Sequence, residues 1–288
     1  MRKLLKYLLI PLLNHPLNRH NKLLALLRFV KWQLILRFHY PKELVVPFIG
    51  DTKYSVVKGR TGLTGNLYCG LHEFYDMCFL MHFLRSTDTF FDVGANVGSY
   101  SILSAGHVGA TTYSFEPVPS TFKLLSDNKQ LNPNKEKWFL MQMALGDAHS
   151  SVLFSADRDT ENRVVSENYS GAKISVEVHT LDSFCHSQTA IPSFIKIDAE
   201  GFDEKVIWGA QKVLADSSVK AVTIESDSRA VNEVLLGAGF HRYSYNPFKR
   251  TFLEGKSKGS NQLYVKDINY VMSRVSTAVP IKVLGATI

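Results

Sequence analysis

From Arg85 to about Glu225 the chain alternates short apolar runs with segments that favour helix, and this alternation constrains its fold more than any other feature. "TFFDV" (89–93), "TTYSFEP" (111–117), "WFLMQMAL" (138–145), "SFIKID" (193–198) and "VKAVTIES" (219–226) read as five strands. Between them, Ser99 to Gly106 suits a short helix, Pro119 to Leu131 a helix opened by proline and closed by "NPN", and 203–214 a third. Parallel strands need crossovers of this kind, so the expected class is α/β: a mostly parallel, doubly wound sheet with helices on both faces. Two segments break the rhythm. Residues 151–181 hold two alternating stretches around a polar middle and read as an antiparallel insertion, with Asn162 and Arg163 either reaching a ligand or simply solvated. The aromatic "GFHRYSYNPFKRTF" and "NQLYVKD" close the sheet as an antiparallel C-terminal hairpin.

Charge divides the chain unevenly. Of a net +7, residues 1–50 carry nine Lys or Arg against Glu43 alone, a balance of +8, so the remaining 238 residues sum to −1. A nucleic-acid enzyme would carry its basic surface on the main body, so no nucleic-acid partner is expected. The organisation expected is a basic, leucine-rich helical extension over 1–50, a catalytic domain over 51–268 and a tail over 269–288. Within the extension, one or two short helices break near Pro11 and Pro16 and a longer one starts at about Asn21. No apolar run there approaches the roughly 18 residues that span a bilayer, and the start lacks a small-residue cleavage site. Two placements fit: residues 1–45 lie on an anionic membrane surface, or they pack on the domain with their cations at the edge. Cys69, Cys78 and Cys185 are odd in number and form no CxxC pair, which points to free thiols in a reducing, cytoplasmic compartment, at most peripheral to the inner membrane face.

Between the first strand and its helix, "DVGANVG" supplies Asp92, Gly94, Asn96 and Gly98. Glu116 lies 24 positions after Asp92 at the end of the second strand, where an acid can accept both hydroxyls of a ribose. An adenosine ligand is therefore expected. A dinucleotide pyrophosphate beside Asp92 would meet like-charge repulsion, and Asn96 replaces the middle glycine of the dinucleotide fingerprint. S-adenosylmethionine carries no phosphate and presents a sulfonium and an ammonium, for which an acid is an asset.

Taken in order, "DVGANVGSYS", "FEP", "ALGD", "LDSF" and "IKIDAEGFDEKVIWGA" are similar to the FkbM family of S-adenosylmethionine-dependent methyltransferases, which have the Rossmann-like class I methyltransferase fold. The resemblance covers roughly residues 60–265 and implies S-adenosylmethionine as cofactor. It implies Asp92, Gly94 and Gly98 against the methionine part, with Asn96 in the same loop, Glu116 on the ribose and Ala144 to Asp147 towards the adenine. Tyr68 and Glu73 fill the places of a Tyr and an acid that precede the domain in the family, and Glu73 joins the cofactor set. The acceptor it implies is a hydroxyl on a sugar of a glycan or glycolipid.

Methyl transfer to oxygen needs alignment and removal of a proton. Asp198 and Glu200, at the mouth of the fourth strand, are the expected base and acceptor-orienting groups, unless they merely cap the next helix. Phe194, Lys196 and Asp198 alternate onto one face of a central strand, so Lys196 needs a partner in Asp198 or Glu225, as a structural ion pair or in catalysis. His72, His82, His107, His179 and His186 are scattered, and no metal is expected. Two other readings stand: a nicotinamide-dependent oxidoreductase and a catalytically dead, membrane-associated adaptor. The Tyr and Lys pairs with an oxidoreductase's spacing, at 54 and 58, 169 and 173, and 245 and 249, are not placed on a helix beside the crevice.

Overall fold

The computed structural model describes residues 9–38, 43–57, 63–155 and 164–288. Helices α1 (Ile10–Asn14) and α2 (Lys22–Phe38) lead into a hairpin of β1 (Glu43–Pro47) and β2 (Lys53–Val57). Pro11 opens α1 from its first turn, where the missing amide costs nothing, instead of breaking it. Hairpin and helices are tied to the body of the domain. Asn132 and Asn128 take the amides of Lys53 and Ser55 at 2.9 and 2.8 Å, and Arg28 donates to the Tyr68 carbonyl at 2.9 Å.

Short α3 (Thr64–Cys69) and apolar α4 (Phe74–Phe83) precede β3 (Thr89–Val93). Then come α5 (Ser99–Ser101, continued as a π-helical stretch Ile102–Val108), β4 (Thr111–Phe115), α6 (Pro119–Gln130) and β5 (Trp138–Met141). Here one expectation fails: the apolar run 138–145 is two strands. The chain leaves the main sheet after Met141, and β6 (Ala144–Leu145) joins β7 (Ser150–Ser155) and β8 (Lys173–His179) in a separate sheet of order β6-β8-β7. The antiparallel pairing of β7 and β8 is the expected insertion. Asn162 and Arg163 lie outside the described residues.

Next, α7 (Leu181–Gln188) leads into β9 (Phe194–Ile197). The helix expected over 203–214 is broken into α8 (Asp203–Trp208) and α9 (Gln211–Ala215). A Cβ on Gly209 would lie 1.9 Å from the Gly146 carbonyl oxygen, and Asp182 donates its amide to the Gly209 carbonyl at 2.9 Å, so the break docks the small sheet and α7 onto this turn. The Asp182 carboxylate caps a helix, but not its own: it accepts the amides of Lys212 and Val213 at the start of α9.

After β10 (Ala221–Ile224) and α10 (Arg229–Gly237), strands β11 (His241–Asn246), β12 (Thr251–Glu254) and β13 (Gln262–Val265) complete an eight-stranded sheet of order β12-β11-β13-β10-β9-β3-β4-β5. From β10 through β5 the neighbours are parallel, and β13 runs antiparallel to β10. Both faces are covered. Phe79, Phe83, Phe90 and Phe194 are fully buried on one side and Phe91, Ile195, Val222 and Phe240 on the other, each contributing roughly 1.5–3 kcal/mol. The last twenty residues are integrated into this core: α11 (Ile268–Ser276) places Val271 and Val275 in it, and the small hairpin of β14 (Lys282–Val283) and β15 (Ala286–Thr287) adds Val283.

Candidate active site

Strand order reverses between β3 and β9, so the loops leaving their carboxyl ends separate and leave a crevice. A cleft opens there. Gly94 and Asn96 form one wall, Glu116 and Pro117 the second, Ala144 with Met143 and Phe154 an apolar end, and Asp198 and Glu200 the side towards β9.

The glycine loop is satisfied from within. The amides of Gly94 and Ala95 both donate to the Phe115 carbonyl at 3.1 and 2.9 Å, and Gly98 donates to the Ala95 carbonyl at 2.9 Å. Asn96 donates to Glu116 Oε2 at 3.1 Å, and Val97 to the Asn96 side-chain oxygen at 2.8 Å. No amide from 94 to 98 is left over for a phosphate. The glycines serve packing: a Cβ on Gly94 would sit 1.8 Å from the Asp198 carbonyl oxygen, and one on Gly98 2.7 Å from Leu125 Cδ1, with φ at +74° and +97°.

Glu116 is buried at the cleft wall and accepts two amides, from Asn96 and, at 2.9 Å, from Val118. Burial pushes its carboxyl up to about 7, against those two bonds, which favour the charged form.

Asp92 does not line the cleft. Thr223, Lys196, Asp92 and Ser114 stand side by side on β10, β9, β3 and β4 and point to one face, a polar row across the centre of the sheet. Ser101 of α5 donates to Asp92 Oδ2 at 2.5 Å and lies 2.6 Å from Ser114 Oγ, which also accepts the Trp138 indole N–H at 2.7 Å. Lys196, 3% exposed, bonds Asp198 at 3.1 Å and faces Asp92 Oδ1 at 3.9 Å. That Asp92 oxygen is buried with no hydrogen-bond partner. Desolvation alone would lower the Lys196 pKa, but the carboxylates of Asp198, Asp92 and Glu73 outweigh it and hold the ammonium charged. Burial raises the Asp92 carboxyl in spite of Lys196 and Ser101.

Asp198 and Glu200 thus share the cleft edge, and Lys196 supports Asp198 from below. Asp203 shapes their turn by accepting the Ala199 and Ser226 amides at 2.7 and 3.0 Å, and Glu200 and Gly201 both adopt positive φ. Ala144 lines the cleft, whereas Asp147 is half exposed outside it, 3.7 Å from Lys205. Glu73 lies at the start of α4, where its carboxylate acts on Lys196. Tyr68 receives Gln33 at 3.0 Å and packs on the extension.

Sequence reasoning missed Asp76. It is buried, its Oδ2 receives both the amide and the side chain of Asn261, and burial followed by Glu73 pushes its carboxyl to about 7. An acid inside the apolar helix "FYDMCFLMHF" was the available signal. Among the described residues, no group of three or more His, Cys, Asp or Glu could hold a metal ion.

This strand order, with its antiparallel β13, is the class I methyltransferase arrangement. The sequence pattern of the methyltransferase FkbM domain matches residues 92–257, more than half of the chain, and the chain belongs to that methyltransferase family. It is 43% identical over 58 residues to 31-O-demethyl-FK506 methyltransferase FkbM of Streptomyces tacrolimicus, across 19% of this chain and 22% of the relative. It is 24% identical over 147 residues to hexuronic acid methyltransferase AglP of Haloferax volcanii, across 51% of this chain and 59% of the relative. The chain therefore spans less than two thirds of the length of either curated relative. The crystal structure of methyltransferase FkbM from Methylobacillus flagellatus superposes with a TM-score of 0.45 at 15% identity, covering 70% of this chain and 52% of that one.

Proposed function

We propose that the chain moves a methyl group from S-adenosylmethionine to a hydroxyl of a sugar in a glycan or glycolipid, on the cytoplasmic side. The observation that carries the cofactor is the glycine loop, whose amides are all engaged internally while Glu116 faces the cleft. A pyrophosphate would find no donors in this loop. A ribose would find a carboxylate already fixed by two amides and able to accept its hydroxyls. Met143, Ala144 and Phe154 offer an apolar end for the adenine. The same features speak against the nicotinamide reading.

When bound, S-adenosylmethionine supplies an electrophilic methyl group on a positively charged sulfur. The chain's own part is alignment and proton removal. Asp198 and Glu200, at the cleft edge, orient the acceptor hydroxyl and one of them takes its proton, while the charged Lys196 fixes Asp198. The sugar acceptor draws support from the family, whose relative AglP is named for hexuronic acid. The buried free thiols of Cys69, Cys78 and Cys185 suit a reducing compartment.

Calorimetric titration with S-adenosylhomocysteine and, separately, NAD tests the cofactor. Binding of the first alone, lost in Glu116→Ala, is expected. Binding of NAD alone would overturn the reading, and binding of neither would favour an inactive adaptor.

A further inference from the structure

The long helix of the extension has two apolar faces. One is occupied: Ala25 and Phe29 are buried, Phe29 meets the Tyr68 ring edge-on at 5.1 Å, and Arg28 and Gln33 bond Tyr68. The opposite face is open. Leu23, Leu27, Val30 and Leu34 keep i, i+4, i+7, i+11 spacing along it, with exposures of 69, 57, 44 and 51%, and Leu26 beside them is also exposed. Exposed Lys22, Lys31 and Arg37 border the stripe, and α2 contains no acid.

We propose that this outer face of α2 docks the enzyme on an anionic lipid bilayer, its leucines entering the interface and its bordering cations meeting the headgroups. Charge selects the occupant. Residues 1–50 hold a balance of +8 while the rest of the chain sums to −1, so a second copy seated on this face would bring two strongly basic arms together, whereas an anionic surface is their complement. No helix among the described residues is long and apolar enough to cross a membrane, so the contact is a surface one. Phe29 and Leu12 share an apolar cluster with Ala95 and Val97 of the glycine loop, so the docked helix and the cleft form one packed body. Docking would hold the cleft at a fixed height over the membrane, which suits a lipid-linked acceptor. The surface itself stands on α2 alone and not on the methyl-transfer reading.

Flotation of the full chain with phosphatidylcholine vesicles, with and without phosphatidylglycerol, tests the proposal. Recovery with the anionic vesicles only, weakened by high salt, is expected, and Leu27→Glu with Leu34→Glu should lower it by at least about tenfold. Thermal unfolding reports whether that variant still folds, and Leu253→Glu, at an exposed leucine of edge strand β12, should float like the wild type. Failure of the wild type to float, or an equal loss in the Leu253 variant, would overturn the proposal. So would self-association in sedimentation velocity that the double variant abolishes without any flotation, since a second copy would then cover the face. Cofactor calorimetry is a separate measurement, so either reading can fail alone.

Discussion

Asp92 and Glu116 are both buried acids at the carboxyl ends of neighbouring parallel strands, yet the chain uses them in opposite ways. Asp92 sits inside the polar row, held by Ser101 and faced by a buried ammonium, and is not among the residues that line the cleft. Glu116 forms no ion pair among the described residues; it is fixed by two amides and lines the cleft. The difference teaches that strand-end position alone does not bring an acid to the cleft. What stands over the strand end decides: α5 and Lys196 cover Asp92, whereas the loop and α6 hold Glu116 at the cleft wall.

The strongest way to break the contrast is Lys196→Met. Asp92 would be left buried without its cation, and chemical denaturation should show a loss of about 3–5 kcal/mol, whereas Glu116 would keep the two amides that fix it. Glu116→Ala should act on binding: S-adenosylhomocysteine affinity is expected to fall by about a hundredfold or more in calorimetry, since two hydroxyl contacts are lost. Lys196→Met, if it folds, should weaken binding far less.

Protonation sharpens the same point. The Glu116 carboxyl is raised from 4.5 to about 7, so the folded state binds more protons than the unfolded one across that window. Its contribution to stability is complete below pH 4.5 and is lost as pH rises through about 7, at most about 1.4 kcal/mol per pH unit. Asp76, raised from 3.8 to about 7, acts in the same direction. Melting curves of Glu116→Gln and Asp76→Asn should each flatten this decline. Cofactor affinity should run the other way in the wild type, rising from pH 6 to about 8 as Glu116 ionises. The smallest effect belongs to Asp147→Ala: its pair with Lys205 is solvent-facing, and both stability and cofactor affinity should change by under about 1 kcal/mol.

The alternation of strands and helices was readable because each central strand is a short apolar run, and the place of Glu116 at the cleft wall because its distance from the glycine loop is local. The meaning of Asp92 was not readable. The row that claims it joins residues from four strands, and sequence spacing does not show that Ser114 and Lys196 are its neighbours. The exit of the chain from the main sheet after Met141 was hidden because the apolar run continues without a turn signal. The break at Gly209 depends on Gly146, and the Asp76 clamp on Asn261, 185 positions away. In α2 an inner packed stripe and an outer open one occupy opposite sides of a single helix, so its apolar residues mark no single face in the sequence.

The 1.8 Å approach at Gly94 bears on how variation in this chain should be read. In a saturation library scored for methyl transfer, position 94 should be as intolerant as any acid of the cleft, with alanine depleted along with everything larger. That intolerance would come from the space taken by one carbonyl oxygen. A map of forbidden substitutions would therefore mark the seam between two strand ends as strongly as it marks the chemistry, and only cofactor-binding assays on folded variants would tell them apart.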